Sequence, residues 1–112
     1  MPYRTGIDII HIPRIRSLLE NEAAIRRMLH ESELSRSDAE HVAGIIAAKE
    51  AFFKAFEMAP KWHDIEIRTK PNGKPVMIIN SRLMKEIKDM DLSISHDRDY
   101  AIAHVVVSKK GK

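Results

Sequence analysis

Four short stretches hold side chains whose type and spacing could do chemistry. Asp8 lies inside the β-branched run Ile7-Asp8-Ile9-Ile10. A carboxylate in such a strand is costly to bury unless it is paired, hydrogen-bonded or bound to a metal. Alternation alone puts Ile7 and Ile9 in the core and Asp8 in water. In Lys49-Glu50-Ala51-Phe52-Phe53-Lys54, Glu50 and Lys54 are four apart and share a helix face. Left in solvent, such a pair is worth at most a few tenths of a kcal/mol. Ala43, Gly44, Ala47, Ala48 and Ala51 crowd the same stretch, so another backbone or a ligand could approach it closely. Lys49 falls on the apolar stripe of Val42, Ile45, Ile46, Phe53 and Phe56, where a lysine needs a snorkelling path or an anion. Asn72-Gly73-Lys74-Pro75 puts a lysine at a hairpin tip, and Ser93-Ile94-Ser95-His96 puts a histidine at a strand end. Neither placement is by itself more than structural. No HExxH, Walker or hydrolase-triad pattern is present. The absence of cysteine excludes disulfides, thiolate catalysis and cysteine-built zinc sites.

Positioning these side chains takes a mixed α+β domain. Residues 3–12 read as a strand, Pro13 opens a short helix, and a second short helix covers 22–30. Ser37-Asp38-Ala39-Glu40 has the form of a capping box and starts the main helix, which runs to about Met58 and is stopped by Pro60. Asp64 to Arg68 alternates as a strand, as does the run after Pro75, and Pro71-Asn72-Gly73 turns between them. Residues 82–89 suit a short helix. Leu92 to Ser95 and Tyr100 to Val107 read as strands joined by His96-Asp97-Arg98-Asp99, and Lys109 to Lys112 as a loose tail. At 112 residues the chain is one domain, 1–112, with one long helix packed on a small antiparallel sheet.

The composition, 44% hydrophobic and 31% charged, is that of a globular protein. No apolar run approaches the ~20 residues of a membrane span, and the N-terminus lacks an apolar signal core; both point to the cytoplasm and away from a membrane. A net charge of +3 suits an anionic partner such as an acidic protein or a phosphorylated ligand. Aromatics at 5% and the lack of a stacking platform argue against nucleic acid.

The order and spacing of these pieces are more specific than any one of them. Gly6-Ile7-Asp8-Ile9, Arg14-Ile15, Ser32-Glu33-Leu34, Ala47-Ala48-Lys49-Glu50-Ala51 with Lys54-Ala55, Asp64-Ile65-Glu66-Ile67, Gly73-Lys74-Pro75, Leu92-Ser93-Ile94-Ser95-His96 and Tyr100-Ala101 form one series. From about residue 3 to residue 107 it resembles the holo-[acyl-carrier-protein] synthase family of 4'-phosphopantetheinyl transferases. The resemblance implies a small α+β fold, a homotrimer with sites at the subunit seams, and a role in fatty acid biosynthesis. It implies transfer of the phosphopantetheine arm of coenzyme A to a serine of an acyl carrier protein, with release of adenosine 3',5'-bisphosphate. By this resemblance Asp8 and Glu50 hold Mg2+, Glu50 is the base, and Lys54 steadies the leaving phosphate. Lys49, Lys54, Lys74, Pro75 and His96 match positions near the nucleotide, with the Lys74 turn and His96 coming from a neighbouring subunit. Arg14 matches a residue that meets the acidic face of the carrier, and Arg16, Arg26 and Arg27 widen that patch.

The sequence departs from the family in three places. The family's Gly-Thr-Gly loop after the main helix is Glu57-Met58-Ala59-Pro60 here, with Lys61 as partial compensation. An arginine or tryptophan type of residue before Ala-Ala-Lys-Glu is replaced within Ile45-Ile46. The segment between Leu34 and Val42 is short and poor in basic residues. The alternative to an active transferase is therefore a weakened relative that binds a carrier protein or an anion after losing its coenzyme loop.

Overall fold

The computed structural model describes residues 3–36 and 38–111. The chain folds as α+β. Strand β1 (Tyr3–His11) leads into helix α1 (Ile12–Leu19), with Pro13 in its first turn, and then α2 (Glu22–Met28). A 3-10 turn (Glu31–Leu34) precedes the long helix α3 (Ala39–Ala55). The capping role falls to Asp38, whose side chain accepts from the His41 N–H at 3.1 Å; Ser37, the expected cap, lies outside the described residues.

Helix α3 is the spine of the domain. Val42 to Lys49 is buried without a break, because the helix has the sheet on one side and α1 and the 3-10 turn on others. Its alanines and Gly44 permit that close approach. On the sheet side, a β-carbon at Gly6 would collide with the Ala51 carbonyl, so only glycine lets β1 lie this close to the helix.

The helix stops at Ala55, three residues before the expected Met58, and Pro60 is not the cause. Glu57 takes a left-handed conformation with φ +54°. The Met58 N–H donates to the Phe53 carbonyl at 3.1 Å and the Glu57 N–H to the Lys54 carbonyl at 3.0 Å. This is a Schellman cap, with glutamate where glycine is usual.

After a 3-10 turn at Trp62–Asp64 come β2 (Ile65–Thr69) and β3 (Pro75–Ile79), a hairpin whose Gly73 has φ +90°. They form a sheet of their own; the other sheet has the order β1-β5-β4, all antiparallel. The helix expected over 82–89 is only a 3-10 turn at Arg82–Glu86, because β4 begins at Ile87. Strand β4 (Ile87–Asp97) includes His96, and a two-residue turn at Arg98-Asp99 leads to β5 (Tyr100–Lys109). Lys109 is therefore ladder rather than tail.

The sheet reverses the simple alternation reading of β1. Gly6, Asp8 and Ile10 face α3, while Ile7 and Ile9 are 55% and 60% exposed on the outer face. No helix among the described residues is long and apolar enough to cross a membrane.

Candidate active site

Asp8 is 8% exposed, turned inward by the pleat of β1 against the C-terminal half of α3. Lys54 donates to its Oδ1 at 2.8 Å and to the Ile7 carbonyl at 3.1 Å. Asp8 Oδ2 is buried with no hydrogen-bond partner. Glu50, one turn before Lys54, lines the same cleft as Asp8. Burial, and next the charge of Asp8, push the Glu50 carboxyl above its ordinary value, while Lys54 and Arg14 pull the other way. Asp8, Glu50 and Arg14 line one cleft of about 250 Å³, floored by Ile10, Ile15 and Ile46.

Two carboxylates facing each other in a half-buried cleft repel, and an oxygen-seeking cation relieves that repulsion. The orphaned Asp8 Oδ2 is a coordination position the protein leaves open. Among the described residues no cluster of three His, Cys, Asp or Glu is present, so further ligands to an ion here would come from outside the chain. The donor set of two carboxylates fits Mg2+, which keeps several non-protein oxygens in its shell. Arg14 is exposed on α1 at the cleft; Arg16 is also exposed but does not line it.

Lys49 is placed quite differently. It is completely buried, and its ammonium donates to Glu33 Oε1 at 2.7 Å, the Met28 carbonyl at 2.9 Å and the Trp62 carbonyl at 3.2 Å. All three donors are used inside the protein. Burial lowers its pKa, and the Glu33 hydrogen bond and charge oppose that. Glu33 also accepts from the His30 N–H at 2.6 Å and the Ile67 N–H at 2.7 Å, so the buried pair ties α3 to α2, the 3-10 turn and β2. Spacing alone left Lys49 either a snorkelling path or an anion; the structure supplies the anion, Glu33.

Lys74 and His96 sit at the other end of α3. Lys74 donates to Asp91 Oδ1 at 3.0 Å. His96 Nε2 bonds the Glu40 carbonyl at 3.0 Å, and a β-carbon at Gly44 would crowd that ring nitrogen at 3.1 Å. Pro75 and His96 line a groove of about 330 Å³ with Arg36 and His41, and this groove adjoins another of about 450 Å³ that reaches Ser32 and Arg68. Burial, then the charge of Arg36, lower the His41 pKa. Arg68 and Ser32 both bond Glu66, and these bonds, that of Ser32 first, lower its carboxyl pKa. Reading the sequence missed Arg36 and His41, whose segment looked poor in basic residues, and the buried role of Glu66, hidden by the clean alternation of its strand. Glu40 and Glu50 are about 15 Å apart along the helix at 1.5 Å per residue. The groove and the carboxylate cleft share no lining residue.

Comparison with known proteins matches this arrangement to a family. The pattern of the 4'-phosphopantetheinyl transferase superfamily covers residues 4–105. A holo-[acyl-carrier-protein] synthase of Nautilia profundicola is 41% identical, over 93% of this chain and 98% of its own. That of Geobacillus sp. (strain WCH70) is 40% identical, over 93% and 94%. Among solved structures, the Helicobacter pylori synthase in complex with coenzyme A superposes with a TM-score of 0.86 at 34% identity, over 93% of this chain and 99% of that one. The Neisseria meningitidis synthase gives 0.85 at 30% identity, over 97% and 100%. The chain belongs to the 4'-phosphopantetheinyl transferase superfamily, within its holo-[acyl-carrier-protein] synthase family.

Proposed function

We propose that the chain transfers 4'-phosphopantetheine from coenzyme A to a serine of an apo acyl carrier protein, with Mg2+ held by Asp8 and Glu50. The observation that carries this reading is that Asp8 and Glu50 line one cleft, with Lys54 bonded to Asp8 Oδ1 and Asp8 Oδ2 unpartnered. The serine oxygen attacks the phosphorus that bears the pantetheine arm. The bond from that phosphorus to the bridging oxygen breaks, and adenosine 3',5'-bisphosphate leaves with the electron pair. Glu50, beside Asp8 in the cleft, takes the serine proton. Lys54 is within reach of Asp8 and carries the positive charge that meets the growing negative charge of the leaving phosphate. Bound Mg2+ supplies further charge stabilisation at the pyrophosphate. Arg14 offers a cationic rim to the acidic surface of a carrier protein. Lys49 belongs to the framework rather than to the nucleotide site, since its three donors are already used.

The working form is a homotrimer with composite sites. His96 bonds the Glu40 carbonyl, about 15 Å along α3 from Glu50 at the 1.5 Å rise per residue, and with Pro75 it lines a separate groove in one chain, next to the turn that carries Lys74. In a ring, the groove of one copy would complete the cleft of the next. The exposed apolar side chains Tyr3, Ile7, Ile9 and Tyr100 on the outer sheet face support self-association.

A weakened, binding-only relative is the second reading, and the helix cap favours it. The amides of Glu57 and Met58 are used on the Lys54 and Phe53 carbonyls, and Glu57 adds a negative charge beside the expected phosphate. The test is release of adenosine 3',5'-bisphosphate from coenzyme A with an apo carrier, with Mg2+ and with chelator. Release that needs both Mg2+ and the carrier's serine supports transfer. Coenzyme A or carrier binding without release supports the second reading.

A further inference from the structure

The outer face of the β1-β5-β4 sheet has His104 at its centre. His104 lies on the middle strand, between Ile7 on β1 and Ser93 on β4. The neighbouring rows of the same face hold the pairs Ile9–Ile102 and Thr5–Val106. An exposed imidazole thus stands in an apolar field with Ile7, Ile9 and Ile102 around it.

The chain's accessible area also points to a covered face. It is 7150 Å², whereas a compact monomer of 12.8 kDa exposes about 6,300 Å². The chain thus exposes roughly 850 Å² more than a compact monomer of its mass.

We propose that His104 makes self-association proton-linked: other copies of this chain cover the outer sheet face, and the face closes only over the uncharged imidazole. The inference rests on the homotrimer reading above. Covering His104 with apolar surface disfavours its charged form. An ordinary imidazole titrates near 6.5. Assembly is therefore favoured while the imidazole is uncharged and weakened as pH falls into the range where histidine takes up a proton.

The other groups on this face do not cancel the effect. Asp91, diagonal to His104, is paired with Lys74 at 3.0 Å. Asp89 and Asp97 lie at the far corners of the face, about 14 Å from His104 along the strands at 3.4 Å per residue. His11, at a corner against the Tyr100 ring (centroids 5.2 Å apart), is the one competing imidazole on this face among the described residues. Asp8, Lys49, Glu50 and Lys54 lie on the opposite side of the sheet, toward α3.

The experiment is light scattering and sedimentation of the full chain at pH 8.0 and pH 5.5, at equal ionic strength. Far-UV circular dichroism serves as a check that the fold is kept. With three imidazoles to deprotonate, the midpoint concentration for assembly should rise up to about 30-fold at pH 5.5. His104→Gln should remove most of that shift, and His11→Gln should leave it. A trimer whose midpoint does not move with pH, or moves equally in His104→Gln, would overturn the histidine inference and leave the trimer standing. A monomer at pH 8.0 would overturn both. Loss of fold together with mass at pH 5.5 would also overturn it, since unfolding would then explain the dispersal.

Discussion

Replacing Glu57 by glycine should raise the melting temperature, although it removes a side chain and adds no interaction. Glu57 sits at φ +54° in the Schellman cap of α3. A residue with a β-carbon pays about 1–2 kcal/mol in that region. Glycine does not, but it gives back about 0.4–1 kcal/mol through the greater freedom of its unfolded chain. Among the described residues, the one ion pair that the change breaks is Arg4 to Glu57 at 3.9 Å, with the glutamate side chain 85% exposed; such a pair contributes little. The net gain is therefore about 0.5–1 kcal/mol. For a domain of 112 residues, that is a rise of roughly 2–4 °C at about 2.1 cal/mol/K per residue. The assay is calorimetric unfolding at fixed protein concentration, because assembly makes the midpoint concentration-dependent. Glu57→Ala is the control, since it removes the charge and keeps the backbone strain. If Glu57→Ala stabilised as much as Glu57→Gly, charge rather than φ would be responsible. If Glu57→Gly lowered the midpoint, the strain argument would fail. The same substitution bears on coenzyme A. With Met58→Thr and Ala59→Gly added, binding should tighten by up to about tenfold, through loss of the Glu57 charge and freedom at residue 59. The gain is held down because the amides at 57 and 58 already serve the helix cap.

Three further outcomes are expected. Glu50 has its folded pKa raised, so it contributes stability that is fully present below its unfolded pKa and lost as pH rises through its folded pKa; Glu50→Gln should therefore raise the metal-free melting temperature at pH 7, read by thermal unfolding. Lys49→Met leaves Glu33 as an unpaired buried charge and should cost about 3–5 kcal/mol in denaturant titration, with partial recovery in the double variant Lys49→Met/Glu33→Gln. Arg14→Glu should weaken carrier binding and flatten its salt dependence, measured by titration calorimetry at low and physiological ionic strength, where screening shortens to about 8 Å.

The elements were largely legible because their signals are local. Pro13, the Pro71-Asn72-Gly73 turn and the alternation in β2 and β5 each act within a few residues. The misreadings came where tertiary contact decides. Periodicity sends Ile7 and Ile9 to the core, yet Gly6 can lie against the Ala51 carbonyl only if the even-numbered residues of β1 face the helix. Asp8 is carried inward with them. The resemblance placed Asp8 and Glu50 together, and the structure does bring them into one cleft. The same resemblance set Lys49 beside the nucleotide, and its position on the apolar stripe allowed either a snorkelling path or an anion. Only a three-dimensional arrangement shows that the anion is Glu33, sixteen residues away in sequence. Helix α3 ends early for a similar reason: the Schellman bonds depend on Glu57 accepting a left-handed φ, which its side chain does not advertise.

The most direct test of the account is the intact mass of an apo acyl carrier protein after incubation with this chain, coenzyme A and Mg2+. The wild type should add one phosphopantetheine arm to one serine. Asp8→Asn, which keeps the shape of the side chain and removes its charge, should slow that addition by at least about a hundredfold, more than 2.7 kcal/mol of transition-state stabilisation, while its circular dichroism stays unchanged. An unmodified carrier with the wild type would contradict the transferase reading. Equal modification by wild type and Asp8→Asn would contradict the two-carboxylate site.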